Sequence, residues 1–175
     1  MPGVASIPTR DDSGRLRAVV ETPRGSRVKI KFDEALQQFA FSRPLVLGLS
    51  YPCDWGFFPS TRAPDGDPLD VLIYHDAATY PGVVIPCRAI GVLGVSQRSK
   101  RGGRERNDRV IAVPLDEPRF DDARGLHERV RKELEQFFLS AVAFEGKALR
   151  VEGWEGPTSA DKLIRRTQRA HASRR

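Results

Sequence analysis

Asp65-Gly66-Asp67-Pro68-Leu69-Asp70-Val71-Leu72-Ile73-Tyr74 sets three carboxylates within six residues, directly ahead of an apolar run with strand character. Such a cluster is costly without cations: at an effective dielectric of about 20, two carboxylates roughly 5 Å apart repel by about 3 kcal/mol. Either one carboxyl keeps its proton or divalent metal neutralises the group. Residues two apart in an extended segment share a side, so Asp65 and Asp67 are expected to converge while Pro68 stiffens the turn that brings Asp70 round. Carboxylate oxygens in that arrangement suit Mg²⁺, with Mn²⁺ as the alternative, ions that keep several waters and bridge to phosphates. A calcium loop fits poorly, because it would need Asp or Asn where Leu69 stands and Gly where Asp70 stands. An acidic turn that merely ends a strand is the competing structural reading.

Outward from this stretch, the chain reads as many short strands and two helices. Leu16 to Glu21 and Arg27 to Phe32 flank the turn-forming Thr22-Pro23-Arg24-Gly25-Ser26 and are expected to form a hairpin. Further strands are expected at Leu45–Leu49, Asp70–Tyr74, Val83–Ser96, Arg109–Val113 and Lys147–Trp154. Gly91 and Gly94 should bend the long Val83–Ser96 run or carry a bulge. Many short, bent strands suggest a small closed barrel. Leu126, Val130, Leu134, Phe137, Phe138, Ala141 and Val142 recur at helical spacing behind Asp121-Asp122 as N-cap candidates. A second helix is expected after Pro157, with Thr158 and Asp161 as an approximate capping pair.

The 175 residues, 39% of them apolar, suit one compact domain: a flexible lead-in at 1–15, a folded unit at 16–170 and a basic tail at 171–175. No apolar run approaches the roughly 20 residues of a membrane span, and Met1 to Thr9 lacks a basic flank and an apolar segment. A cytoplasmic protein without a membrane partner is expected. Cys53 and Cys87 lie in apolar surroundings without zinc-like spacing, as buried free thiols do. The net charge of +6 favours anionic partners and is concentrated locally. One concentration is the loop from Arg98 to Arg109, with Lys100, Arg101, Arg104 and Arg106; the other is the tail, with Lys162, Arg165, Arg166, Arg169, Arg174 and Arg175. Each reads as a solvated segment, a phosphate-attracting rim or a weak nucleic-acid contact. Barrels that bind single strands do so through aromatic platforms, and the basic loop contains no aromatic residue.

Asp-Gly-Asp-Pro-Leu-Asp-Val-Leu at 65–72 resembles the signature of the soluble family I inorganic pyrophosphatases. Val19-Val20-Glu21, Lys29, Arg43, Tyr51-Pro52-Cys53, Cys87-Arg88, Ala112-Val113-Pro114, Phe137-Phe138 and Val151-Glu152-Gly153-Trp154-Glu155 agree in order and spacing. The likeness runs from about Leu16 to Ala170 with one insertion. It implies an α+β fold, a five-stranded OB-like barrel flanked by two main helices and assembled as a homo-oligomer, a hexamer in bacteria, that hydrolyses inorganic diphosphate with Mg²⁺. Carried over by position, Asp67 would be the general base for a metal-bound water, and Asp65, Asp70 and Glu21 would serve the metals. Lys29, Arg43 and Tyr51 would bind phosphate oxygens.

The resemblance breaks at several positions. Lys31 stands where the family has Glu, and Trp55 where it has Tyr. An acidic loop becomes Gln97-Arg98, a basic insertion and then Asn107-Asp108-Arg109. Asn107 would be a weaker metal ligand than the Asp it replaces, with Asp108 as a stand-in shifted by one residue. Arg109 would bind phosphate where the family uses Lys. The family's Tyr-Lys pair near the end of the long helix is Ala141-Val142 here. Together these changes exchange metal charge for side-chain charge. Three alternatives remain open: diphosphate hydrolysis with fewer metals, action on another phosphoanhydride or phosphate ester, and a non-catalytic phosphate- or nucleic-acid-binding barrel.

Overall fold

The computed structural model describes residues 3–77, 79–99 and 102–173. Lys100, Arg101, Arg174 and Arg175, counted above in the basic loop and tail, lie outside the described residues. Among the described residues nine strands occur in chain order: β1 Leu16–Thr22, β2 Val28–Asp33, β3 Gln38–Pro44, β4 Asp54–Phe58, β5 Leu69–Ile73, β6 Val84–Arg98, β7 Arg104–Arg106, β8 Arg109–Pro114 and β9 Arg150–Glu155. The two helices are α1, Glu128–Ala141, and α2, Pro157–Ala172. Hydrogen bonding runs β1-β4-β5-β8-β6 and returns from β6 to β1, so five strands close a ring, with β7 and β9 paired to β6 outside it. This is the expected OB-like barrel. Closure removes the sheet edges that would otherwise invite association.

Strand parity divides the interior into two apolar layers. Leu69, Val71 and Ile73 of β5 join Val110 and Ala112 of β8 in one layer, which α2 covers with Ala160, Leu163 and Ile164. Leu72, Ile111 and Val113 face the other layer, where Tyr51, Trp55 and α1 residues Leu134, Phe137 and Phe138 pack. Because Asp70 and Arg109 alternate with the residues of the first layer, both fall on the α1 side. The long β6 shifts register between Ala89 and Gly91 against β8, and between Gly94 and Val95 against β9, as its glycines led one to expect.

Four expectations about elements are corrected. The hairpin is β2–β3, with Lys29 opposite Arg43 and Lys31 opposite Ala40, and β1 pairs instead with β4 and β6. Side chains join β1 to the hairpin in place of a backbone ladder: Thr22 Oγ1 donates to the Ile30 carbonyl at 2.9 Å and accepts from the Ile30 amide at 3.0 Å. Leu45–Leu49 forms bends rather than a strand, with Gly48 at φ 81° and Leu47 almost fully exposed. β4, whose five residues are all buried, replaces it in the ring. The first helix is capped by His127, whereas Asp122 caps a short 3-10 turn at Ala123–Gly125 ahead of it. The second helix begins at Pro157 behind Gly156 with no side-chain cap.

Residues 3–15, set apart in the sequence as a lead-in, are tied to the barrel. Thr9 Oγ1 donates to the Pro59 carbonyl at 2.6 Å, the Arg17 amide donates to the Thr9 carbonyl at 2.8 Å, and Arg10 pairs with Asp161 of α2 at 2.8 Å. Cys53 and Cys87 are free and buried. Among the described residues, no helix is long and apolar enough to cross a membrane.

Candidate functional site

Asp65, Gly66 and Asp67 form a turn and not the extended segment expected, for the chain doubles back on itself. The Gly66 amide donates to the Ala63 carbonyl at 3.0 Å and the Ala63 amide to the Asp67 carbonyl at 2.8 Å. Gly66 takes φ 94°, a left-handed backbone that glycine adopts without steric cost. The Asp67 amide donates to Asp65 Oδ1 at 3.2 Å. Two residues later β5 begins, and its parallel register with β8, Val71 opposite Val110, brings Asp70 beside Arg109.

The carboxylates and cations of the site meet pairwise. Arg109 Nη1 lies 2.5 Å from Asp70 Oδ2, with only 10% of the arginine side chain exposed. The same nitrogen donates to the side-chain oxygen of Asn107, and the guanidinium stacks over Trp55 at 5.1 Å from the ring centre. Lys31 Nζ lies 3.5 Å from Asp67 Oδ2 in a more exposed pair. Glu21, on β1, accepts the Phe32 amide at 2.8 Å and so anchors the hairpin to the barrel. Glu21, Lys31, Phe32, Phe57, Asp67 and Asp70 line a cleft of about 130 Å³.

Electrostatics record an excess of negative charge at the cleft floor. Burial first, then Asp70, raises Glu21 to about 7, although the Phe32 amide and Lys31 pull the other way. Burial and the neighbouring Asp70 also hold the Asp65 carboxyl above its ordinary range. Burial works against the Lys31 ammonium, yet Asp67, Glu21 and Asp70 outweigh it and its pKa rises. Lys29 is drawn below the usual lysine value by burial, with Lys31, Lys147 and Arg109 acting in the same direction against Asp70. Tyr51 is pushed upward chiefly by burial.

The remaining sequence candidates are placed less simply. The Asn107 side-chain oxygen is already engaged by Arg109. Asp108 Oδ1 accepts the Val95 amide at 3.0 Å and pairs with Arg106 Nε at 2.9 Å, so its contacts run to β6 and β7 instead of to the carboxylates. Asp108 lies in the link between β7 and β8. Arg43 reaches the end of α1, where it pairs with Glu145 and donates to the Ala141 carbonyl at 2.9 Å. The hard oxygens of Glu21, Asp65, Asp67 and Asp70 fit a divalent cation in kind, and a cation would favour the charged forms of Glu21 and Asp65, which burial first and Asp70 after it disfavour. Among the described residues, however, no three His, Cys, Asp or Glu side chains form a ready-made metal cage.

The family model described as inorganic pyrophosphatase matches residues 18–172. The chain belongs to the inorganic pyrophosphatase family. An inorganic pyrophosphatase of Synechocystis is 34% identical over 164 residues, covering 92% of this chain and 94% of the relative. One from Leifsonia xyli is 38% identical over 150 residues, covering 83% and 89%. The crystal structure of the inorganic pyrophosphatase from Thermus thermophilus superposes with a TM-score of 0.88 at 31% identity, covering 98% of this chain and 99% of that one. Arg109 contacts both of the other substituted side chains, Asn107 and Trp55. The sequence singled out Trp55 only as a substitution. It gave no sign that Glu145, just past α1, pairs with both Arg43 and Lys147.

Proposed function

We propose that this protein hydrolyses inorganic diphosphate to two orthophosphates. The supporting observation is the meeting of Asp67 and Asp70 with Lys31 and Arg109 beside one cleft, in a chain that carries the pyrophosphatase pattern throughout. Asp67 is the general base, exposed at the mouth of the cleft where water and substrate arrive, and it takes the proton from the attacking water. Lys29, Arg43, Tyr51 and Arg109 hold phosphate oxygens and stabilise the charge that develops on the departing phosphate. Asp65, Asp70 and Glu21 are the residues to hold Mg²⁺ or Mn²⁺, and Asn107 contributes through Arg109. A bound divalent cation supplies acidification of water and neutralisation of phosphate charge. Asp108 is a support for β6 in this reading. The protein works in the cytoplasm as a homo-oligomer, with a hexamer as the expected size by light scattering.

The test is phosphate release from diphosphate with Mg²⁺ or Mn²⁺, comparing wild type with Asp67→Asn. Loss of a positioned general base lowers the rate by about 10²- to 10⁴-fold. An absence of cation-dependent turnover in the wild type, or full activity in the variant, overturns the mechanism. Phosphate release from another phosphoanhydride in place of diphosphate would instead identify the substrate variant that the Arg109–Asp70 pair allows.

A further inference from the structure

Arg43 meets two partners at the end of α1: the last helical carbonyl, that of Ala141, and the carboxylate of Glu145. The other oxygen of Glu145 pairs with Lys147 Nζ at 3.0 Å. One carboxylate therefore spans two cations, in the manner of a phosphate held between Arg and Lys. All three side chains are only partly covered, at 26% exposed for Arg43, 25% for Glu145 and 38% for Lys147. Lys29 lies directly across the hairpin from Arg43 and feels the charges of both Lys147 and Asp70. Lys29 thus couples this cluster electrostatically to Asp70 at the cleft.

The backbone around Lys147 is built to present it. Gly146 and Ala148, on either side, take φ 66° and 44°, and a non-glycine residue in that region carries strain that its surroundings must maintain. The Lys147 carbonyl accepts the Arg98 amide at 2.7 Å, so the end of β6, where the basic insertion begins, braces this turn. At 141 and 142, where the pyrophosphatase pattern has Tyr-Lys, this chain has Ala and Val and offers no side-chain donor.

We propose that Lys147 is a substrate-binding residue that grips the distal phosphate together with Arg43, and that Glu145 is an internal competitor that the substrate phosphate displaces. The proposal rests on the diphosphatase reading above. Residues 143–146 are exposed, so a Glu145 side chain that leaves Arg43 can turn into solvent. The bound anion thereby gains two charge-assisted contacts from residues that are already adjacent.

The decisive measurements are the KM for diphosphate and the Kd for the non-hydrolysable imidodiphosphate, for wild type, Lys147→Ala, Lys147→Arg, Glu145→Gln and the distant control Lys132→Ala. Lys147→Ala should raise both constants by about tenfold, the size of one lost contact to a charged group, with kcat changed less than about threefold. Lys147→Arg should restore most of the affinity. Glu145→Gln should lower both constants by about threefold, a sign that a merely structural ion pair would not give. Unchanged constants in Lys147→Ala, or unchanged or raised constants in Glu145→Gln, overturn the proposal. If the wild type releases no phosphate from diphosphate, the diphosphatase reading fails, and the imidodiphosphate titrations alone decide whether the triad binds the anion.

Discussion

Arg109 is enclosed by the Asp70 carboxylate, the Asn107 amide oxygen and the Trp55 ring. A charge so enclosed does two things: it satisfies a half-buried carboxylate from within the protein, and it competes with any external cation for the same oxygens. Arg109→Gln should therefore destabilise the protein in chelator by about 3 kcal/mol, because Asp70 is left without its partner. It should also bind Mg²⁺ about tenfold more tightly, a difference of about 1.4 kcal/mol. Thermal unfolding with and without Mg²⁺ and a calorimetric Mg²⁺ titration check both, and the added ion should recover much of the lost stability. The individual members of this group were visible in the sequence, but their mutual contact was not. Asn107 lies in the link between β7 and β8 and Arg109 at the start of β8, whereas Trp55 and Asp70 come from β4 and β5, and only the ring closure brings all four together.

At the scale of elements, β4 is a fully buried strand of the ring that the sequence marks poorly. Asp54-Trp55-Gly56-Phe57-Phe58 lacks β-branched residues and alternation, since both its faces are covered. Gly56 explains its tightness: a Cβ there would collide with the Val19 carbonyl on β1. Backbone cannot yield as a side-chain tip can, so Gly56→Ala should cost about 3 kcal/mol, read as a lowered denaturation midpoint with an unchanged m-value. The barrel strands β5, β6 and β8 and both helices were legible because they follow clean apolar runs or helical spacing. The hairpin partner was not legible. Turn residues at 22–26 suggested that β1 should fold back on β2, yet Glu21 and Thr22 use their side chains on Phe32 and Ile30, freeing the β1 backbone to pair with β4 and β6. Asp108 shows the same limit at the site, because a carboxylate next to Asn107 looks equivalent in a sequence, yet its contacts run to Val95 and Arg106.

For the molecule as a whole, the two buried thiols report on the integrity of the fold. Burial pushes Cys53 and Cys87 to about 12, so the reactive thiolate is scarce at pH 8, roughly one in ten thousand. A thiol reagent at that pH should label neither cysteine in the folded protein and both in denaturant, as followed by mass spectrometry. The sign for stability follows from the same shift. The folded thiols keep their protons longer than the unfolded ones, so their contribution is complete below pH 9 and is lost as pH rises towards 12. Cys53 lies against the α1 layer and Cys87 in the α2 layer, so the two labelling rates would report separately on the two halves of the core.

The closed ring carries Glu21, Asp70 and Arg109, while Lys29, Lys31 and Arg43 ride on β2 and β3, a separate two-stranded sheet fastened by side chains. A polyanion seated between them would act as a splint across a joint. Its measured affinity then includes the entropy of quieting the hairpin, so a change at Thr22 or Phe32, neither of which carries a charge, can weaken binding without removing a single contact to phosphate.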